Sequence, residues 1–176
     1  MGLKEATAEK HKMAERMPFN VKMFKGELTK EQYTHYLKSQ FAIFCVLEDN
    51  FQFPHEGLKR KSAVNEDLTE LGYDFNNLPE GVAYGCDKAT QKYVDYLRGL
   101  SQEDAMAHVY LNYLAIMFGG QMMKTKVPST GRMYDFENMM EAAGSVRSIQ
   151  KDEWADEVNK GFDFMIEIFK ELENVL

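Results

Sequence analysis

Cysteine is scarce in this chain: Cys45 and Cys86 are the only two among 176 residues. Two cysteines build no disulfide framework, and no Cys-x-x-Cys, His-Glu-x-x-His or other short-spaced metal pattern occurs. A reduced, cytoplasmic setting is the expectation. Proline is also rare, with four residues, and Pro54, Pro79 and Pro128 fall between helical patterns. No linker, internal repeat or low-complexity stretch is present. Long apolar runs are missing too. The longest, Tyr113 to Phe118 with two glycines after it, is far short of the roughly 20 residues of a membrane-spanning helix. The first residues, Met-Gly-Leu-Lys-Glu-Ala-Thr, lack the apolar core of a secretory signal, and position six is not Ser or Thr as myristoylation wants. Positive charge is in deficit, with 21 Lys and Arg against 28 Asp and Glu. A net charge of −7 argues against nucleic acid as a partner.

What is present suits a globular protein. Apolar residues make up 44% and charged residues 28%. At about 150 residues per domain, the chain reads as one domain over 1–176. Charge is uneven: residues 1–40 carry eight Lys/Arg against five Asp/Glu, whereas 135–176 carry four against eleven. That basic segment reads either as random surface charge or as a docking patch for an acidic partner.

The periodicity predicts an all-α fold. Helix one spans about 3–24 through Leu3, Thr7, His11, Ala14, Met17, Val21 and Phe24, with Pro18 kinking it or marking a bend. Thr29 and Gln32 form a capping box that opens a helix of about twenty residues to Phe51. Its apolar content is broad enough for a central position, and Cys45 lies in its apolar run Phe41–Leu47. Further helices are predicted at 62–71, closed by Gly72, at 87–98, and from Ser101 to the Gly119–Gly120 pair. A loop covers 73–86. After a break at Pro128, Ser129 and Gly131 come a short helix at about 133–143 and a last helix capped by Asp152.

Three features are candidates for chemistry. His11 falls on the apolar face of helix one. Such a histidine is commonly a satisfied core residue, but Glu15 one turn on can hold one ring nitrogen and leave the other for a ligand. Two adjacent glycines cost about 1 kcal/mol each inside a helix. Gly119–Gly120 therefore either ends the helix or brings bare backbone against a flat ligand. Twelve Met and twelve Phe fill an ordinary core or line a pocket for a large planar apolar molecule.

Together these residues resemble the heme oxygenase family. The segment Leu3-Lys-Glu-Ala-Thr-Ala-Glu-Lys-His11-Lys-Met-Ala-Glu15 is similar to that family's proximal helix. Lys25-Gly-Glu-Leu-Thr29 and the run to Leu47-Glu48 continue it. His108-Val-Tyr110-Leu-Asn-Tyr113 through Gly119-Gly120-Gln121 resembles the distal helix, and Phe162 to Leu172 the last one. The resemblance implies a single-domain helical bundle with heme held between a proximal and a distal helix. It implies His11 as axial ligand to the heme iron, oriented by Glu15, with no other tightly bound metal. Gly119 and Gly120 would bring the distal helix close over the heme and leave room for dioxygen. Lys4, Tyr110 and Arg147 would pair with the propionates, and Phe162 would line the pocket. Heme would be opened to biliverdin, at the alpha position by expectation, releasing iron and carbon monoxide. A monomer is expected, with electrons from ferredoxin or another reductase docking on the basic segment.

The chain departs from the family on the distal side. A polar residue that holds a proton-supplying water is replaced by Ile116. Three further positions of that water network read Phe44, Asn112 and Met165. Water would then be held by backbone carbonyls at the glycines, by Gln40 or by Asn112, or else the protein binds heme without activating oxygen. Three other readings compete. A di-iron oxidase would use Glu48 and His55 but lacks helix-borne carboxylate and histidine partners; a thiaminase-like enzyme would need a cysteine nucleophile beside acids; a structural bundle would bind no heme.

Overall fold

The computed structural model describes residues 1–73 and 87–174. The described residues hold nine α-helices and three 3-10 turns, with no strand among them. Most of the loop expected at 73–86 lies outside the described residues. None of these helices is long and apolar enough to cross a membrane.

The N-terminal segment is three helices rather than one: α1 (Leu3–Ala6), α2 (Ala8–Glu15) and α3 (Pro18–Phe24). The main break is at Pro18. Met17 before it is extended, with ψ 132°, as the residue preceding a proline prefers, and Pro18 becomes the first residue of α3. Gly26, with φ +72°, turns the chain after α3.

α4 (Lys30–Asn50) opens with the predicted capping box: Thr29 Oγ1 accepts from Gln32 N at 3.1 Å, and Gln32 Oε1 accepts from Thr29 N at 2.9 Å. Its residues from Ser39 to Leu47 are buried without interruption. A helix covered all round is a central one, and α4 packs on α5 (Lys61–Glu70), α6 (Lys88–Arg98) and α9 (Ala155–Leu172). Glu48 of α4 accepts from the backbone N–H groups of Arg60 and Lys61, satisfying the open N-terminus of α5. Gly72, with φ +86°, ends α5 as expected. α7 (Gln102–Gly119) begins where Ser101 Oγ accepts from Asp104 N. It crosses α9 closely because Gly161 has no side chain: a Cβ there would collide with Leu111 and lie 3.1 Å from His108 Nδ1.

Two expectations shift in the C-terminal third. The helix placed at 133–143 is α8 (Met139–Ile149). Arg132–Tyr134 is instead a 3-10 turn, pinned because buried Asp67 accepts from Arg132 N and Met133 N. Asn138 in the left-handed region (φ 51°) then starts the helix late. Asp152 does not cap α9, which a 3-10 turn at Asp152–Trp154 introduces. Its Oδ1 accepts from Leu3 N at 3.0 Å, so it caps α1 from the far end of the chain. That bond, Asn159 Nδ2 to Ala6 O at 3.3 Å and the Lys10–Asp163 ion pair at 2.7 Å fix α1 and α2 along α9.

Candidate functional site

A cavity of about 650 Å³ opens between α2 and α7. That size falls within the usual range for small-molecule sites. His11 and Glu15 from α2, Lys4 from α1, Tyr110, Gly119 and Gly120 from α7, Arg147 from α8 and Phe162 from α9 all line it. Residues from five helices therefore meet at one void.

His11 is not a core histidine. Its side chain is 57% exposed along the cavity, a correction to the apolar burial expected from the helical stripe. The stripe is real, and Leu3 and Ala14 on it pack into the core, but at His11 it borders the cavity. Nε2 lies 3.0 Å from Glu15 Oε1, and the ring stacks on Phe162 with centroids 5.4 Å apart. The carboxylate and the phenyl ring fix the imidazole plane, and one ring nitrogen stays available to a ligand.

Across the cavity the two glycines do different things. α7 ends at Gly119 and its cap is Gly120, so of the two alternatives the helix terminates there. A Cβ on Gly119 would meet nothing within 4 Å. A Cβ on Gly120 would collide with the Tyr134 ring and the Ile116 carbonyl. Gly119 leaves open space on the cavity side, whereas Gly120 lets Tyr134 close over the helix end.

The outer part of the cavity is cationic. Lys4 and Arg147 are exposed, and neither pairs with a carboxylate among the described residues. Arg147 rests its guanidinium over the Phe118 ring, 4.8 Å from the centroid. Burial pushes the Tyr110 hydroxyl pKa up, against the opposing pull of Arg147. Two unpaired cations and a phenol suit an anionic edge of a ligand.

The inner part is more polar than its apolar sequence suggested. Ile116 lines it, as do Gln40, Tyr36 and Asn112. Gln40 is buried, and its side chain hydrogen-bonds no protein group among the described residues. The Gly120 carbonyl already accepts from Met123 N and Lys124 N. Phe44 is buried away from the cavity, and Met165 lines it. Sequence reasoning missed Phe118 and Tyr36. Both fall on helix faces that look like plain core or plain surface until the partner helix is in place.

Glu48 and His55 are engaged elsewhere. Glu48 accepts from Tyr113 Oη at 2.8 Å besides its backbone donors. His55 Nδ1 accepts from Gly57 N, and its other nitrogen faces Glu141. No group of three or more His, Cys, Asp or Glu able to hold a metal exists among the described residues. Cys45 is buried in α4.

A helical protein with an imidazole, a glycine and two exposed cations on the wall of one cavity has the makings of a small-molecule site. Comparison with known proteins makes that class specific. A sequence model of the heme oxygenase family matches residues 1–159, and the chain belongs to that family. Heme oxygenase 2 of Macaca fascicularis is 30% identical across 97% of this chain, and heme oxygenase 1 of Gallus gallus 29% across 99%. The chain spans 64% of the first of these relatives and 69% of the second. Among solved structures, heme oxygenase-1 of the cyanobacterium Synechocystis in complex with heme superposes with a TM-score of 0.82 at 23% identity, covering 97% of this chain and 90% of that one. The heme oxygenase of Leptospira interrogans gives 0.79 at 23%, covering 97% and 100%. At these identities the structures establish the shared fold.

Proposed function

We propose that this protein is a heme oxygenase that binds heme in the cavity between α2 and α7 and opens it to biliverdin, with release of iron and carbon monoxide. The observation that carries this is one cavity lined both by His11, held by Glu15 at 3.0 Å, and by Gly119, where an added Cβ meets nothing. The residues present fit the group. A neutral imidazole is the ordinary protein ligand of heme iron, the cavity of about 650 Å³ is of small-molecule size, and Lys4, Arg147 and Tyr110 suit two propionates. Bound heme supplies the iron at which dioxygen is reduced; the protein supplies position, electrostatics and protons.

Each residue then has a task. His11 holds the iron, and Glu15 keeps the imidazole oriented and electron-rich. Phe162 supports the imidazole ring through stacking. Lys4, Tyr110 and Arg147 would hold the anionic edge of the group and so set which meso position is opened, the alpha position by expectation. Gly119 admits the small gaseous substrate. The distal proton comes through water held by polar groups of the inner cavity, since Ile116 carries no donor. Electrons come singly from a ferredoxin or another reductase, docking beside the basic segment that contains His11. The protein works as a cytoplasmic monomer, a single domain over 1–176.

Hemin titration tests this reading. One equivalent should give a sharp Soret band in the wild type. His11→Ala should shift or broaden that band while leaving the helical circular dichroism unchanged. An identical spectrum for the variant would overturn the assignment of the axial ligand.

A further inference from the structure

Asn112 is placed in the cavity wall by a chain of buried hydrogen bonds that the assignment above does not use. It lies one turn before Ile116 on α7 and is 2% exposed. Its Nδ2 donates to the His108 carbonyl at 2.9 Å and to Tyr93 Oη at 3.0 Å. Tyr93 Oη lies 2.7 Å from His108 Nδ1, and His108 Nε2 lies 2.8 Å from Glu157 Oε2. Tyr96 Oη donates to the same carboxylate at 2.8 Å.

Chemistry fixes the direction of every bond. An ionised carboxylate only accepts, so His108 donates from Nε2. A neutral imidazole then has a bare Nδ1, which accepts the Tyr93 hydroxyl proton. The Tyr93 oxygen in turn accepts from Asn112. A backbone carbonyl only accepts, so the amide nitrogen, not the oxygen, of Asn112 faces His108 O. Both amide hydrogens are thereby consumed, and Oδ1 is the one hydrogen-bonding atom of Asn112 left without a protein partner. The carbonyl cannot rotate away without breaking two buried bonds. Gln40, the other polar candidate, has no such anchor.

We propose that Glu157, His108 and Tyr93 are positioning residues that lock Asn112 with its Oδ1 as a fixed acceptor for a water molecule in the cavity, opposite His11. This takes over, from a neighbouring turn of α7, the water-holding task that Ile116 has no polar atom to perform. It rests on the heme-binding reading for its role, but the chain itself is a property of the protein alone. The water donates one hydrogen to Asn112 Oδ1 and keeps the other for a ligand in the slot.

The first arm of the test needs no heme. In Tyr93→Phe, which removes one oxygen atom, the Asn112 side-chain amide resonances should move and exchange faster with solvent in 15N spectra, while the fold persists. Superimposable Asn112 resonances would overturn the positioning chain. The wild-type His108 should show Nε2 protonated and Nδ1 bare; the opposite tautomer would overturn the direction argued here. The second arm uses the ferric hemin complex and fluoride, whose affinity reports hydrogen-bond donors in the slot. Tyr93→Phe should weaken fluoride about fivefold, the worth of one hydrogen bond, with hemin affinity retained, and Asn112→Leu should weaken fluoride as much or more. A loss in Asn112→Leu alone, or in neither variant, would overturn the proposal. If the wild type bound no hemin, the functional reading would fall while the first arm still decided the chain.

Discussion

The two glycines at the end of α7 illustrate how adjacent identical residues serve separate ends. Gly119 borders empty space, so Gly119→Leu should fold with near-native stability and lose hemin binding or turnover. Normal turnover in that variant would mean that α7 does not lie over the ligand. Gly120→Ala should instead lose stability. Overpacking of this kind costs about 1–3 kcal/mol, here against the Tyr134 ring and the Ile116 carbonyl, read as a lower urea midpoint. The Gly-Gly pair stood out in sequence because helices avoid glycine. Which of the two borders open space was not legible, since it depends on Tyr134, fourteen residues further on. His11 was legible by its spacing from Glu15. Its exposure was not, because periodicity marks a face and does not say whether that face meets packed side chains or a void.

At the scale of elements, the site depends on how the N-terminal helices are held. α1 and α2 are short, and isolated helices of such length are marginal in water. Their stability comes from α9 and from Asp152, whose carboxylate satisfies Leu3 N. Asp152→Ala should cost about 1 kcal/mol, as loss of a helix cap does, and should speed hemin dissociation, because Lys4 and His11 ride on the same segment. Unchanged dissociation would detach that cap from the site. Most element boundaries were readable from local chemistry: the Thr29–Gln32 box, Ser101 and Gly72 act within a few residues. The misplaced ones were governed from afar. Asp152 caps a helix about 150 residues away, and Asp67 of α5 pins Arg132–Tyr134 and delays α8. No window along the chain contains such partners.

For the molecule as a whole, the buried polar chain couples stability to pH. Burial pushes the His108 pKa down, outweighing Glu157 beside it. An unfolded histidine titrates near 6.5. Below that pH the unfolded chain takes up a proton that the folded chain refuses, so stability falls. Burial raises the Glu157 carboxyl, yet its bonds from His108 and Tyr96 prevail and hold it below its usual value. Its contribution is complete above about pH 4.5 and is lost below, with the same sign. The wild type should therefore lose more stability between pH 7 and 5.5 than His108→Gln, measured by urea unfolding at each pH. Equal slopes would mean that His108 takes up its proton in the fold as readily as in the unfolded chain. Charge asymmetry acts at the same scale. Residues 1–40, which contain His11, are net positive on a chain of charge −7. Reduction of the hemin complex by an acidic ferredoxin should slow as salt rises, and indifference to salt would place docking elsewhere. The proposed function turns on oxygen activation in a cavity with Ile116 in its wall. It is tested by following the visible spectrum of the hemin complex after a reductant is added, with dioxygen and catalase present so that free peroxide cannot attack the heme. The Soret band should decay while a broad red bilin band rises. A Soret band that forms and persists would contradict it and leave a heme-binding protein without oxygenase activity.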